Sequence, residues 1–322
     1  MKTPADQRTI CCDSCSLPAV SLDPLSGAHF CASHFNARFE DAVARTITES
    51  RMILPGDRVA VALSGGKDST VLAVLLAKLH PDLRDSGLVA ITVDEGIAGY
   101  REETVGSACK LCERLGIGHL VVSFGDRFGA TLDAMVRESP KRACTICGVL
   151  RRTLLQQAAA EWGATKVATG HCLDDESETA LMNCLSGAAG RISHAESGPG
   201  AGVPRIKPLR AMSEKDITLY ALLNDIPIPR AECPYARTSL RAEVRGMMGY
   251  LEYRYPGTAA KVVEGYSGIA ESLRRHRTPL PARRCTLCGQ PSSGEHCQCC
   301  TILRMVGQGP EPGAPTKRSG QV

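Results

Sequence analysis

No run of eighteen or more apolar residues occurs in this chain of 322 residues, so it holds no candidate for a membrane-spanning helix. The opening "MKTPADQRTICCDSC" lacks the apolar core of a secretion signal. The expectation is a cytoplasmic protein with no membrane partner. A large charge excess is missing too. With 38 Lys and Arg against 34 Asp and Glu, the net charge of +4 does not mark a nucleic-acid binder, and any such surface must be a local patch. A hydrophobic content of 43% allows a sizeable core, in one large domain with additions or in two modest ones.

Cysteine, by contrast, is plentiful. Sixteen cysteines without an export signal argue against a disulfide scaffold, because the cytosol keeps thiols reduced. Metal ligation or thiol chemistry is the alternative. The cysteines fall into one cluster at 11 to 34, a scattered set between 109 and 233, and a dense cluster at 285 to 300. This pattern predicts a core with two small end modules, spanning 1–48 and 279–304 around a domain at 49–278. The segment 305–322, rich in Gly, Pro and charge, reads as a disordered tail.

In the core, short Val- and Ile-rich runs at 58–63, 88–93, 119–124 and 166–170 read as buried parallel strands. Between them lie helix-spaced segments such as "DSTVLAVLLAKLH" and "TICGVLRRTLLQQAAAEWG". The alternation predicts an α/β fold with a doubly wound parallel sheet. Beyond about residue 205 the pattern turns mainly helical.

Strand 58–63 runs into Ser64-Gly65-Gly66-Lys67-Asp68-Ser69, which opens a helix. Glycines allow close backbone approach to an anion, successive amides form a nest, and the helix N-terminus adds positive potential. The loop is a phosphate site on these grounds. It is not a Walker loop, since Val61 stands where that pattern needs Gly and Asp68 where it needs Ser or Thr. Asp94, ending the next strand, is placed for nucleotide contact, because ligands of open α/β sheets lie at the carboxyl ends of strands. A solvated acidic loop is the other reading. Thr169-Gly170-His171-Cys172-Leu173-Asp174-Asp175 also follows a strand and starts a helix. Its acids either cap that helix or belong to the site.

Cys12, Cys15, Cys31 and His34 provide four ligands of the kind tetrahedral zinc takes, with Cys11 as a competitor for Cys12. Cys285, Cys288, Cys297 and Cys300 form a second set, with Cys299 as a competitor for Cys300. Cys109, Cys112 and Cys184 are expected to pack in the core as small hydrophobes. Cys144, Cys147 and Cys233 remain, three thiols rather than four. Zinc would want a fourth protein ligand. A four-iron four-sulfur cluster on three cysteines leaves one iron open, and a dithiol relaying persulfide sulfur is the other reading.

"SGGKDS" after a strand resembles the PP-loop of the N-type ATP pyrophosphatases. That resemblance implies that Ser64, Gly65, Gly66, Lys67, Asp68 and Ser69 bind the pyrophosphate part of ATP and its Mg2+. "TGHCLDD" resembles the "TGHNLDD" segment of tRNA thiolation enzymes, matching at Gly170, His171, Asp174 and Asp175 and departing at Cys172. The order of end module, "SGGKDST", "CTICG", "TGHCLDDE", "ECPY" and second end module resembles the two-zinc-site tRNA 2-thiouridine synthetases of the TtuA type over roughly residues 10 to 300. The cytidine-thiolating TtcA type shares the PP-loop but normally lacks the paired zinc modules.

The resemblance implies a 4Fe-4S cluster on Cys144, Cys147 and Cys233, two structural Zn2+ sites, and 2-thiolation of a tRNA uridine. Adenylation of the C2 oxygen by ATP would precede sulfur transfer, with Lys67 on the phosphates and Asp174 or Asp175 moving a proton or holding the metal. Arg151 stands where the family often has a catalytic Lys. It keeps the charge but cannot accept a proton. Basic clusters at Lys141-Arg142, Arg151-Arg152, Arg205 to Arg210, Arg237-Arg241-Arg245 and Arg274-Arg275-Arg277 are candidates for the tRNA surface. A ubiquitin-like thiocarboxylate protein as sulfur donor and a homodimeric assembly are further expectations from the family. A PP-loop ligase acting on a small molecule and a non-catalytic RNA-binding zinc protein are the competing classes.

Overall fold

The computed structural model describes residues 10–84, 87–187, 202–228, 231–235, 240–275 and 283–308. Residues 309–322 of the expected tail lie outside these, as do Arg237 and Arg277 of the basic clusters. Two short antiparallel strands, β1 (Ser21–Leu22) and β2 (His29–Phe30), belong to the N-terminal module, and five parallel strands form the central sheet: β3 (Val59–Ala62), β4 (Leu88–Asp94), β5 (Gly118–Ser123), β6 (Lys166–Ala168) and β7 (Arg205–Ile206). Their order is β5-β4-β3-β6-β7. The chain steps outward from β3 in one direction, then returns to the other side of β3 to continue. This is the doubly wound arrangement, with its switch point between β3 and β6.

The pleat divides the core into two layers. Val59, Val61, Leu88, Ala90 and Ala168 pack on one side with helices Ala32–Glu49, Lys67–Leu79, Arg101–Leu115 and Glu214–Leu223. Ala60, Val89, Ile91, Val93 and Val167 face the other side, against helices Ala143–Trp162 and Gln298–Met305. Such strands are apolar on both faces because helices cover both faces. β5 departs from that expectation. It is an edge strand, with Val121 49% exposed, so its apolar run does not mark a fully buried strand. The two-residue β7 carries no periodic signal and was not anticipated.

Both end modules are tied into this core. In helix Ala32–Glu49 the residues Phe35, Phe39, Val43 and Ile47 recur every fourth position and are buried, and Phe39 stacks on Tyr220 with ring centroids 4.7 Å apart. At the other end Cys299, Ile302 and Leu303 pack into the layer around helix Ala143–Trp162. A third cluster, built on Val244, Met248 and Ala259, joins helices Leu240–Arg254 and Thr258–Arg275 to helix Leu173–Leu185. No helix of the described residues is long and apolar enough to cross a membrane.

Candidate functional site

Three loops meet at the carboxyl edge of the sheet, after β3, β4 and β6. In the first, serine hydroxyls replace absent backbone pairing. Ser69 Oγ donates to the Gly66 carbonyl at 2.9 Å, accepts from the Ser64 amide at 3.2 Å and lies 3.0 Å from Ser64 Oγ. Gly65 has φ +81, and a Cβ there would fall 2.3 Å from the Thr104 carbonyl oxygen, so only Gly fits. Gly66 is the N-cap of helix Lys67–Leu79 and supplies no capping side chain, which leaves the first-turn amides to a ligand. Lys67 Nζ is held by Asp68 Oδ1 at 2.7 Å and by Glu214 Oε1 at 3.1 Å.

The loop after β6 lies against this cradle. A Cβ on Gly170 would stand 2.9 Å from both the Asp68 carbonyl carbon and the Ser69 nitrogen. His171 Nδ1 is 2.9 Å from Thr169 Oγ1. The two acids that follow have different surroundings. Asp175 accepts from the Cys172 amide at 3.2 Å as part of a capping box and lies 3.6 Å from Arg241, so it anchors its helix. Asp174 accepts from the Glu214 amide at 2.7 Å, which brings it to the carboxylate that faces Lys67. Burial pushes the carboxyls of Asp68 and Asp174 up, and both Glu214 and Asp175 add to the shift. Cys172 is buried, and burial first, then Asp175, pushes its thiol up, so it stays protonated and packs where the resemblance has an amide.

After β4, Asp94 Oδ1 accepts from the Gly96 amide at 2.8 Å and caps its own turn. It also lines a pocket of about 180 Å³ together with Ile97, Arg101 and Glu102. A second pocket of about 180 Å³ is lined by Cys144, Cys147, Cys233, Arg151 and Tyr235. It gathers three thiols that belong to neither end quartet. Burial pushes Cys147 up to about 12 and raises Cys233 as well. Neutral thiols at such a place become thiolates when a cation is supplied, which is what a metal centre does.

The end clusters have a different geometry. The ligand atoms of Cys12, Cys15, Cys31 and His34 all lie within 4.8 Å of one another, and so do those of Cys285, Cys288, Cys297 and Cys300. Cys15 and Cys31 Sγ are 3.6 Å apart, as are Cys288 and Cys297 Sγ, while Cys31 Sγ is 3.3 Å from His34 Nδ1. A tetrahedron with Zn–S bonds of about 2.3 Å has S···S edges of roughly 3.7 Å. Both quartets fit a single tetrahedral ion. Among the described residues, Cys144, Cys147 and Cys233 do not form such a tight set, which suits thiolates bound to different irons of a cluster rather than to one ion. The Ser33 hydroxyl and His34 backbone amide pull Cys31 down to about 6, toward the thiolate a metal requires.

The competitors are also placed. Cys11 is exposed and belongs to neither quartet, and Cys299 is buried against the core layer. Cys112 is buried as expected, but Cys109 and Cys184 are exposed, a correction to the expected core packing. On helix Arg101–Leu115 the buried positions are 101, 104, 108, 111 and 112, a stripe one residue away from the one that would include 109.

Of the basic clusters, Arg241 and Arg245 pair with the buried carboxylate of Glu178, each at 2.8 Å. They fasten helix Leu240–Arg254 to helix Leu173–Leu185. Lys141 and Arg142 lie in the turn that precedes helix Ala143–Trp162, Arg151 and Arg152 lie midway along that helix, and Arg151 lines the thiol pocket. Glu95 and Arg101, both buried and ion-paired at 2.7 Å, were not anticipated. Glu95 follows Asp94 at the sheet edge, and that position was the signal available for it.

A parallel sheet, a glycine cradle at its switch point and a helix opening on Lys67 define a PP-loop protein, and the PP-loop domain family matches residues 33–247. The tRNA 2-thiolation protein NcsA of Haloferax volcanii is 38% identical over 317 residues, covering 92% of this chain and 98% of its own length. Cytoplasmic tRNA 2-thiolation protein 1 of Bos taurus is 38% identical over 309 residues, with coverage of 92% and 88%. Among solved structures, the U34-tRNA thiolase NcsA from Methanococcus maripaludis with its 4Fe-4S cluster superposes with a TM-score of 0.80 at 33% identity, covering 92% of this chain and 97% of that one. The chain belongs to the tRNA 2-thiolation family of these proteins.

Proposed function

We propose that this protein is an ATP-dependent tRNA sulfurtransferase that converts a uridine of tRNA to 2-thiouridine. The observation carrying the reading is the placement of a three-thiol pocket and a PP-loop on the same edge of one sheet. A nucleotide-activating site and a sulfur-handling site are thereby within reach of one base. The names of the relatives support the substrate class, and those named cytoplasmic support a cytoplasmic location.

The loop amides after Gly66 and the Lys67 ammonium take the ATP phosphates, with Lys67 exchanging Glu214 for phosphate oxygens. Mg2+ brought with the nucleotide would supply further positive charge for the leaving pyrophosphate. The uridine C2 oxygen attacks the α-phosphorus, the bond to pyrophosphate breaks, and an adenylated base remains. Adenylation turns a poor leaving oxygen into AMP. A sulfur nucleophile then adds at C2 and the C–O bond to AMP breaks. Asp174, beside Glu214 and pushed up by burial, is the acid best placed to hold or pass a proton at the PP-loop. Asp175 keeps its helix cap.

Cys144, Cys147 and Cys233 would hold a 4Fe-4S cluster, as the relative from Methanococcus maripaludis holds one. Such a cluster supplies an iron without a protein ligand, where sulfur for transfer can be bound. Arg151 lines the same pocket and contributes positive charge without accepting a proton. The two end quartets would hold structural Zn2+. A ubiquitin-like thiocarboxylate protein as sulfur donor remains part of this proposal, as does a homodimeric assembly.

Taking a base out of its stacked loop requires backbone contacts as well as a pocket. The cluster Lys141, Arg142, Arg151 and Arg152 beside the thiols is the surface proposed for tRNA. The test is anaerobic incubation of the reconstituted protein with ATP, a sulfide source and unmodified tRNA. Pyrophosphate release that requires tRNA, together with a 2-thiolated uridine by nucleoside mass spectrometry, is the expected result. A 2-thiolated cytidine would select the TtcA-type reaction instead.

A further inference from the structure

Glu95 is a charged side chain that the reading above does not use. It is 2% exposed, and its carboxylate lies between two guanidiniums. Its Oε2 is 2.7 Å from Arg101 Nε and its Oε1 is 3.6 Å from Arg151 Nη1. The same Oε1 is 4.0 Å from Cys147 Sγ. Neither Glu95 Oε2 nor Arg101 Nε has a hydrogen-bond partner of good geometry, so charge rather than direction holds this buried pair.

The two arginines differ in how firmly the fold holds them. Arg101 is buried and committed to backbone. Its Nη1 donates to the Ser64 carbonyl at 2.9 Å and to Thr104 Oγ1 at 3.0 Å, and its Nη2 donates to the Val93 carbonyl. Arg151 has a side chain 51% exposed, and it reaches the pocket from a helix whose next residue, Arg152, repels it. A long side chain facing water on one side is free to swing away, at little cost, unless something anchors it.

We infer that Glu95 is a positioning residue: its buried carboxylate, fixed by Arg101, holds the Arg151 guanidinium at the rim of the Cys144, Cys147 and Cys233 pocket. The inference rests on the proposed function of that pocket. Glu95 and Arg101 cancel in charge, so Arg151 is left as a net positive charge facing three thiols. A metal centre held there would gather three thiolates at one place, and a fixed guanidinium offsets that concentrated negative charge. Without the anchor the charge would be spread over the conformations of an exposed arginine and screened by water.

A double-mutant cycle tests this on the full chain after anaerobic reconstitution with iron and sulfide. Glu95→Gln, Arg151→Gln and their combination are compared for the rate at which a ferrous chelator removes iron, and for thiolation kcat and the KM for ATP. Each single substitution is expected to speed iron loss about tenfold and to lower kcat about tenfold, with the ATP KM within about twofold. The combination is expected to be no worse than Arg151→Gln, because the two residues act as one unit. Additive effects, or a Glu95→Gln protein with the iron retention of wild type, would overturn the inference. Glu95→Asp guards against a folding defect. It keeps the counter-charge for Arg101 and withdraws from Arg151, so wild-type melting with Arg151→Gln-like iron loss is expected, and wild-type iron loss would again overturn it. If the wild-type protein thiolates no tRNA, the proposed function fails, while the iron measurement still decides the role of Glu95.

Discussion

Gly170 lies so close to Ser69 that a Cβ on the glycine would stand 2.9 Å from the Ser69 amide nitrogen. The loop after β6 therefore forms one wall of the phosphate cradle, and backbone rather than a side chain makes the contact. Gly170→Ala must push the two loops apart. A stability loss of about 1–3 kcal/mol is expected from overpacking, with ATP affinity lowered about tenfold or more, equivalent to roughly 1.4 kcal/mol. Thermal melting and nucleotide titration check the two effects separately.

The assignment of the cysteines makes a prediction about metal content. Cys12→Ser and Cys300→Ser each break a quartet, so each is expected to lower bound zinc by one ion per chain and to lower the melting temperature. Cys11→Ser and Cys299→Ser are expected to leave zinc unchanged, because neither residue belongs to a quartet. Elemental analysis of the purified variants distinguishes the two pairs.

His119 carries a pH-dependent contribution. Thr92 Oγ1 donates to the Leu63 carbonyl at 2.7 Å, so the hydroxyl accepts from His119 Nε2, 2.8 Å away, a bond that the ring can make in either protonation state. Burial pushes its pKa down from the ordinary value of 6.5. As pH falls below that value the unfolded chain binds the proton before the native state does, so stability falls as the solution is acidified. Urea denaturation between pH 7.5 and roughly 5 is expected to show a smaller loss for His119→Gln than for wild type. Equal slopes would remove the assignment.

Glu178 is 1% exposed and receives both Arg241 and Arg245. Glu178→Ala leaves two guanidiniums without their carboxylate and removes the fastening between two helices. Both guanidiniums reach water, which softens the penalty, so the expected destabilisation is about 2–3 kcal/mol, at or below the low end for a broken buried pair. Urea unfolding of the variant measures it directly.

What was legible in the sequence is what local pattern carries. The strands β3, β4 and β6, the glycine cradle and both metal quartets rest on contiguous residues or short fixed spacings, and the structure places each of them. The convergence of Cys233 on Cys144 and Cys147 was an expectation from the family resemblance, since no local pattern links residues so far apart and the count of spare thiols set the exposed Cys109 and Cys184 aside as core. β7 escaped because two residues have no period, and the exposure of Cys109 was misread because one helical position separates a buried stripe from its neighbour. Glu95 escaped for a different reason. Its partners at 101 and 151 meet it only once the sheet has brought their elements to one edge.

In the proposed reaction, three cysteines of one pocket carry sulfur chemistry for a base activated at the PP-loop. Thiolation of unmodified tRNA by anaerobically reconstituted wild type and Cys233→Ala, read as 2-thiouridine by nucleoside mass spectrometry, tests it most directly. ATP-dependent 2-thiouridine is expected from wild type, with none above background from Cys233→Ala although its zinc content is unchanged. Full sulfur transfer by Cys233→Ala would contradict it.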